Sequence, residues 1–126
     1  MDDPSAWSVA CGCAGEADAV ARGLGVSPSF DDPVAWVYEF GQAIPRARPS
    51  MLLDVLAGRP SEIDVINGAI PPLAAPLGLA APVNTTVTAL VHAIERAGNA
   101  PLPRTRDTRH SSRARSPFQE ARPRGE

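Results

Sequence analysis

Apolar residues recur at three- and four-residue spacing through residue 98, and no stretch alternates with period two. That pattern belongs to amphipathic helices packed on one another, and it predicts an all-α bundle without a sheet. Asp3-Pro4 is a helix-start signal, a side-chain acceptor followed by proline at the first helical position. Trp7, Ala10, Cys11, Ala14, Ala17, Ala21 and Leu24 form the stripe behind it, and Gly23 and Gly25 supply the stop. Gly12 and Gly15 leave room for another helix to come close. Asp32-Pro33 opens a second helix with Val37, Phe40 and Ile44 facing inward and Trp36 beside them, ended by Pro45.

Ser50 is placed to cap a short third helix carrying Met51, Leu52, Val55 and Leu56, which Gly58 closes. Met51 and Leu52 are expected in the core. Pro60-Ser61-Glu62 opens a fourth, with Glu62 in the first turn, where negative charge suits the helix dipole, and Ile63, Ile66 and Ile70 as its core stripe. Pro71-Pro72 stops this pattern, and residues 71–83 are expected to be irregular or only briefly helical. Asn84 is placed to cap a last helix with Val87, Leu90, Val91 and Ile94 facing in, ended by Gly98-Asn99.

Beyond residue 98 the apolar residues thin out, and arginine, serine and proline take over. Such a segment buries too little to offset its ordering entropy. The expected organisation is therefore a helical domain over residues 1–98 and a disordered, Arg/Pro-rich basic tail over 99–126. Charge divides the same way: residues 1–98 hold 11 acids and 5 arginines (net −6), and residues 99–126 hold 3 acids and 7 arginines (net +4). The tail has no interleaved aromatic platform for stacking bases, which argues against a nucleic-acid partner.

All 12 basic residues are arginine, so no lysine is available as acid, base or Schiff-base former. Cys11 and Cys13 lack the further ligands and spacing of a zinc site, so no metal is expected and they read as small buried thiols on a helix. His92 reads as a surface or core-edge histidine. Asp54 and Asp64 read as solvated or as partners of Arg59, and Asn67-Gly68 as a close-packing element. No apolar run reaches the ~20 residues of a membrane span, and the acidic start Met1-Asp2-Asp3 is unlike a signal peptide, so a cytoplasmic setting is expected.

The most specific string is PSMLLDVLAGRPSEIDVINGA, residues 49–69. It closely resembles the signature of the C-terminal helical domain of ketopantoate reductase (2-dehydropantoate 2-reductase). Ala81-Pro82-Val83-Asn84-Thr85-Thr86 looks like the start of that family's following helix, and the resemblance extends over about residues 14–97. It implies a domain that closes over an NADPH-binding Rossmann domain, with ketopantoate held in the cleft and reduced to pantoate for pantothenate biosynthesis. It also implies that Ser50 contacts substrate and Glu62 the cofactor. Both residues stand at expected helix starts, where free N–H groups favour anions. A serine hydroxyl both donates and accepts, as a hydroxy-acid ligand requires.

The chain departs from a whole enzyme of that family. It has no GxGxxG turn for the pyrophosphate of NADPH. The family's proton donor is a lysine just upstream of the matched region, and here there is none. Pro71, Pro72 and Pro76 fall where the family has what looks like a continuous helix, so that helix is expected to stop early or kink. No catalytic residue is therefore expected in this chain. The reading that follows is a substrate-side domain, truncated and inactive alone, with a separate Rossmann-domain chain or a second copy of itself as the candidate partners. The alternative is a non-catalytic helical interaction or dimerisation module, with a homodimer as its simplest form.

Overall fold

A computed structural model of the chain describes residues 3–98. They form five α-helices and one 3-10 turn, with no strand among the described residues: α1 (Pro4–Gly23), α2 (Pro33–Ala43), α3 (Ser50–Leu56), α4 (Ile70–Ala74), the 3-10 turn Ala75–Leu77, and α5 (Pro82–Gly98). The all-α expectation holds. The basic tail over 99–126 lies outside the described residues.

Both Asp-Pro starts act as read. Asp3 accepts from the backbone N–H groups of Ser5 (2.8 Å) and Ala6 (3.4 Å). Asp32 accepts from Val34 (2.8 Å) and Ala35 (3.2 Å). In each case the proline follows at the first helical position, where no N–H is needed. Gly58 closes α3 in the left-handed region at φ 65°.

Helix α1 is the hub, packing on α2 along one side and on α4 and α5 along another. The sequence stripe describes only the first side. Val20, outside that stripe, is buried and forms the core with Ala74 and Ala81, backed by Ile70 and Leu77. Gly12, Cys13, Glu16 and Val20 recur at helical spacing and make this second face. At Gly12 a Cβ would stand 3.1 Å from a Val83 methyl, so glycine lets α5 lie against α1 as its spacing suggested. Gly15 has open space instead.

The fourth helix does not start at Pro60. Residues 62–69 are a run of turns, with Ile66 N–H donating to Glu62 O (3.2 Å) and Gly68 N–H reaching back to Ile63 O (2.9 Å). The helix begins at Ile70, and Pro71 and Pro72 occupy its first turn, where the missing N–H groups cost nothing. The prolines thus open a brief helix rather than stop or kink a long one. Of the expected stripe, Ile63 is buried, Ile70 is half-buried and Ile66 is exposed.

The interior is thin. Among the described residues the buried hydrophobic side chains are Val20, Ile63, Ala74 and Ala81. Phe40, Ile44, Leu52, Leu90 and Ile94, all read as inward-facing, are exposed. Their stripes are helical as expected, but four helices around one hub supply no further layer to cover them.

Candidate functional site

Ser50 and Glu62 flank α3 and the connection after it. Ser50 is exposed at the first position of α3 and does not cap it. Pro49 is the N-cap residue, at φ −57° and ψ 145°, with no side-chain cap bond. The helix starts one residue earlier than a Ser50 cap requires, so the hydroxyl stays free to face solvent. Glu62 is exposed at the head of the turn run, not in the first turn of a helix. The dipole argument for it therefore falls away. No hydrogen bond joins Ser50 to Glu62 among the described residues.

The segment carrying Glu62 has no helical ladder, yet it is tied at several points. Arg59 holds Asp54 of α3 through two nitrogens, at 2.6 and 3.0 Å, and its N–H donates to Asp54 O (2.9 Å). Ser61 N–H donates to the Glu95 carboxylate of α5 (2.8 Å). Asp64 lies 3.0 Å from His92 Nε2, also on α5. Ile63 is buried between these ties, and Asn67 donates its amide to Asn84 Oδ1 (2.9 Å). The Ser61 side chain and N–H together hold the Glu95 carboxyl below its ordinary value, with His92 and Arg96 adding smaller pulls the same way. An open groove of about 480 Å³ lined by Pro60, His92, Glu95 and Arg96 runs beside the segment. Of the charged residues in it, Arg59 and Asp64 are paired, whereas the Glu62 carboxylate has no ion pair among the described residues.

Beneath this segment lies a polar cluster that the sequence reading did not single out. Glu16 of α1 accepts from Val83 N–H (2.8 Å), Asn84 N–H (2.9 Å) and the Asn84 side-chain amide (2.7 Å). Asn84 also donates to Cys13 O (3.2 Å) and is buried at 2% exposure. Asn84 therefore does not cap α5; it is the third helical residue. The capping function falls to a carboxylate from another helix, which satisfies two of the N–H groups that every helix start leaves unpaired. Burial pushes the Glu16 carboxyl up, but the Asn84 N–H, Val83 N–H and Asn84 amide together outweigh it and hold the carboxyl below its ordinary value. The Cys13 thiol is pushed up by burial and by the negative Glu16, with Asn67 pulling partly back, so it stays protonated and unreactive. A clue was present: Pro82 opens α5 after Ala81, which has no side-chain acceptor, so the cap had to come from elsewhere.

No group of three or more metal-ligating side chains exists among the described residues, and no described helix is long and apolar enough to cross a membrane. Cys11 and Cys13 are free and half-buried on α1.

Over residues 1–95 the chain matches the family described as the ketopantoate reductase PanE/ApbA C terminal. It is similar in structure to a PanE/ApbA family ketopantoate reductase from Ralstonia eutropha JMP134, at 32% identity and a TM-score of 0.68 over 79% of this chain. The chain spans 33% of the length of that relative. No curated protein matches it. With the family pattern running through α1 to α5, the chain belongs to the ketopantoate reductase family, as its C-terminal helical domain.

Proposed function

We propose that this chain is the substrate-side domain of an NADPH-dependent ketopantoate reductase acting in the cytoplasm. In this reading Ser50 contacts ketopantoate and Glu62 contacts the cofactor. The observation that carries it is the unpaired Glu62 carboxylate on a segment otherwise tied to α3 and α5. Side chains that bind are best held by a rigid second layer of contacts, and that is the arrangement around Glu62. An exposed carboxylate fits a hydroxyl donor such as a ribose, and the Ser50 hydroxyl fits the oxygen atoms of a 2-oxo acid. Bound NADPH would supply the hydride for the C2 ketone.

The chain has no lysine to give the proton and no glycine-rich turn to hold a pyrophosphate. The glycine-rich turn belongs to a Rossmann domain and the lysine to the segment just upstream of the matched region, whether joined to this domain or on a separate chain. General acid catalysis contributes roughly 10²–10⁴ in rate, and positioning contributes more, so these 126 residues alone have no reductase activity.

Calorimetry with ketopantoate on the full chain tests the reading, with Ser50→Ala and Glu62→Gln beside it. Binding that Ser50→Ala abolishes and Glu62→Gln leaves unchanged supports the assignment. Absence of binding at millimolar ketopantoate refutes it for the isolated chain, and NADPH oxidation by the chain alone refutes the claim of inactivity.

A further inference from the structure

Asparagine followed by glycine is the dipeptide most prone to spontaneous deamidation, because glycine has no Cβ to keep its backbone nitrogen away from the asparagine side chain. Of the chain's three asparagines only Asn67 precedes glycine. The fold requires both residues. A Cβ at position 68 would stand 2.8 Å from Asp64 O, so only glycine fits. The Asn67 amide donates to Asn84 Oδ1 (2.9 Å), which ties the run of turns over 62–69 to α5. A labile pair therefore stands where the segment is anchored.

The contacts that hold the pair also oppose its reaction. Deamidation needs the Gly68 nitrogen to lose its proton and attack the Asn67 amide carbon. The closed segment engages that N–H on Ile63 O (2.9 Å) and the amide on Asn84. The reaction therefore waits on a local opening of the segment, which its ties at Ser61, Asp64 and Asn67 close as one unit. Once it opens, the new N–C bond closes a succinimide and the side-chain nitrogen leaves as ammonia. Water then opens the ring to aspartate or isoaspartate. Neither product restores the anchor. A carboxylate only accepts, and the Asn84 Oδ1 that faces it is also an acceptor. Asn84 cannot turn its amide round to donate, because its nitrogen already holds Glu16 (2.7 Å) and Cys13 O (3.2 Å). Isoaspartate also lengthens the main chain by a carbon atom.

We propose that Asn67 is a site of spontaneous deamidation, kept intact by the closed segment, and that its conversion irreversibly frees the turns over 62–69 from Asn84. The effect is local. Glu16 still holds the start of α5 on α1, so the turns loosen while those two helices stay packed. This inference does not depend on the reductase reading.

Incubation of the full chain at mildly alkaline pH, with mass spectrometry of the peptide carrying residue 67, tests it. The same chain unfolded in guanidinium chloride gives the unhindered rate. Conversion of Asn67 in the folded chain is expected to be at least about tenfold slower, as a gated reaction requires. Glu95→Ala, which frees the Ser61 N–H at the other end of the segment, should speed it several-fold while the urea midpoint barely moves. Should that variant fail to fold, His92→Ala, which frees Asp64, serves instead. Asn67→Asp reproduces one product, and amide exchange over 62–69 should quicken in it while that of α1 stays unchanged. Equal rates in the folded and unfolded chains, or no conversion even when unfolded, overturn the proposal. So does a rate indifferent to Glu95→Ala, or an acceleration matched by an equal loss of global stability, which would place the gate in unfolding of the whole domain. Exchange over 62–69 unaltered by Asn67→Asp, or a chain that this substitution unfolds entirely, overturns the local release.

Discussion

Replacing Glu16 tests the logic of the fold most directly. Its carboxylate accepts three hydrogen bonds, at 2.8, 2.9 and 2.7 Å, from the first turn of α5 and from Asn84. Hydrogen bonds to a charged group contribute ~1.5–3 kcal/mol each in favourable settings. Three that converge on one half-exposed carboxylate do not add, and water screens them. Glu16→Ala also removes a cap, a loss of ~0.5–2 kcal/mol, and leaves buried Asn84 short of an acceptor. Together these give about 2–3 kcal/mol of lost stability, or a fall in Tm of roughly 10 °C or more for a domain of this size. Glu16→Gln keeps the shape but turns an amide N–H toward the donors, so it is expected to lose nearly as much.

The pH dependence follows from the lowered Glu16 pKa. A carboxyl held lower in the folded state than in the unfolded chain stabilises the fold above its ordinary value. That contribution is lost as pH falls through the lowered one. Glu16→Gln does not titrate, so the gap between wild type and variant should be full at neutral pH and shrink in acid, as pH falls through the lowered Glu16 value. Urea denaturation followed by circular dichroism measures both. A variant within about 0.5 kcal/mol of wild type at neutral pH refutes the capping role, since that is the range of an ordinary surface substitution. A gap unchanged in acid shows that the charge is not what matters.

Other substitutions probe the layers above and beside Glu16. Asn84→Leu removes the amide that joins α1, α5 and Asn67. It should destabilise by about 3 kcal/mol in the same denaturation assay, because Glu16 and Asn67 both lose a partner. Gly68→Ala places a Cβ 2.8 Å from Asp64 O, an immovable backbone atom. It should cost about 2 kcal/mol by overpacking, against the slight gain usual for glycine to alanine. Glu95→Ala releases the Ser61 N–H. Amide exchange at Ser61 should then speed up while that of α1 stays unchanged, and equal exchange at Ser61 in the two proteins would show that the tie is not holding the segment.

Helix positions were legible because their signals are local: Asp-Pro at two starts, glycine after α3, and apolar spacing within each helix. Three features were not. The turn run over 62–69 carries a helical apolar period, so periodicity alone could not tell it from a helix. What the period missed was that Pro71-Pro72 is better placed in the first turn of a helix than at the end of one. The second face of α1 was hidden because Glu16 and Gly12 interrupt it, and a search for apolar stripes passes over a half-exposed carboxylate cap. Phe40, Leu90 and Ile94 have the spacing of core residues, but spacing states which residues share a face, not whether anything covers it. Ser50 and Glu62 were legible only through the resemblance. The structure adds that neither does the structural job that otherwise accounted for it, a cap for Ser50 and a first-turn acid for Glu62.

The thin apolar interior and the polar cluster have a common consequence. With four buried hydrophobic side chains among the described residues, packing fixes the helix arrangement only loosely. Hydrogen bonds of fixed length and direction then set how α5 sits on α1, and Glu16 and Asn84 make them. The segment bearing Glu62 is tied in turn to α5 through Ser61, Asp64 and Asn67. The position of the proposed cofactor contact is therefore referred through α5 to a single carboxylate on α1. Loosening Glu16 should move Glu62 without any change at Glu62 itself. An α1 residue that touches no ligand becomes a positioning residue for the site, and Glu16→Gln should weaken any measured effect of Glu62 on cofactor affinity as well as the fold.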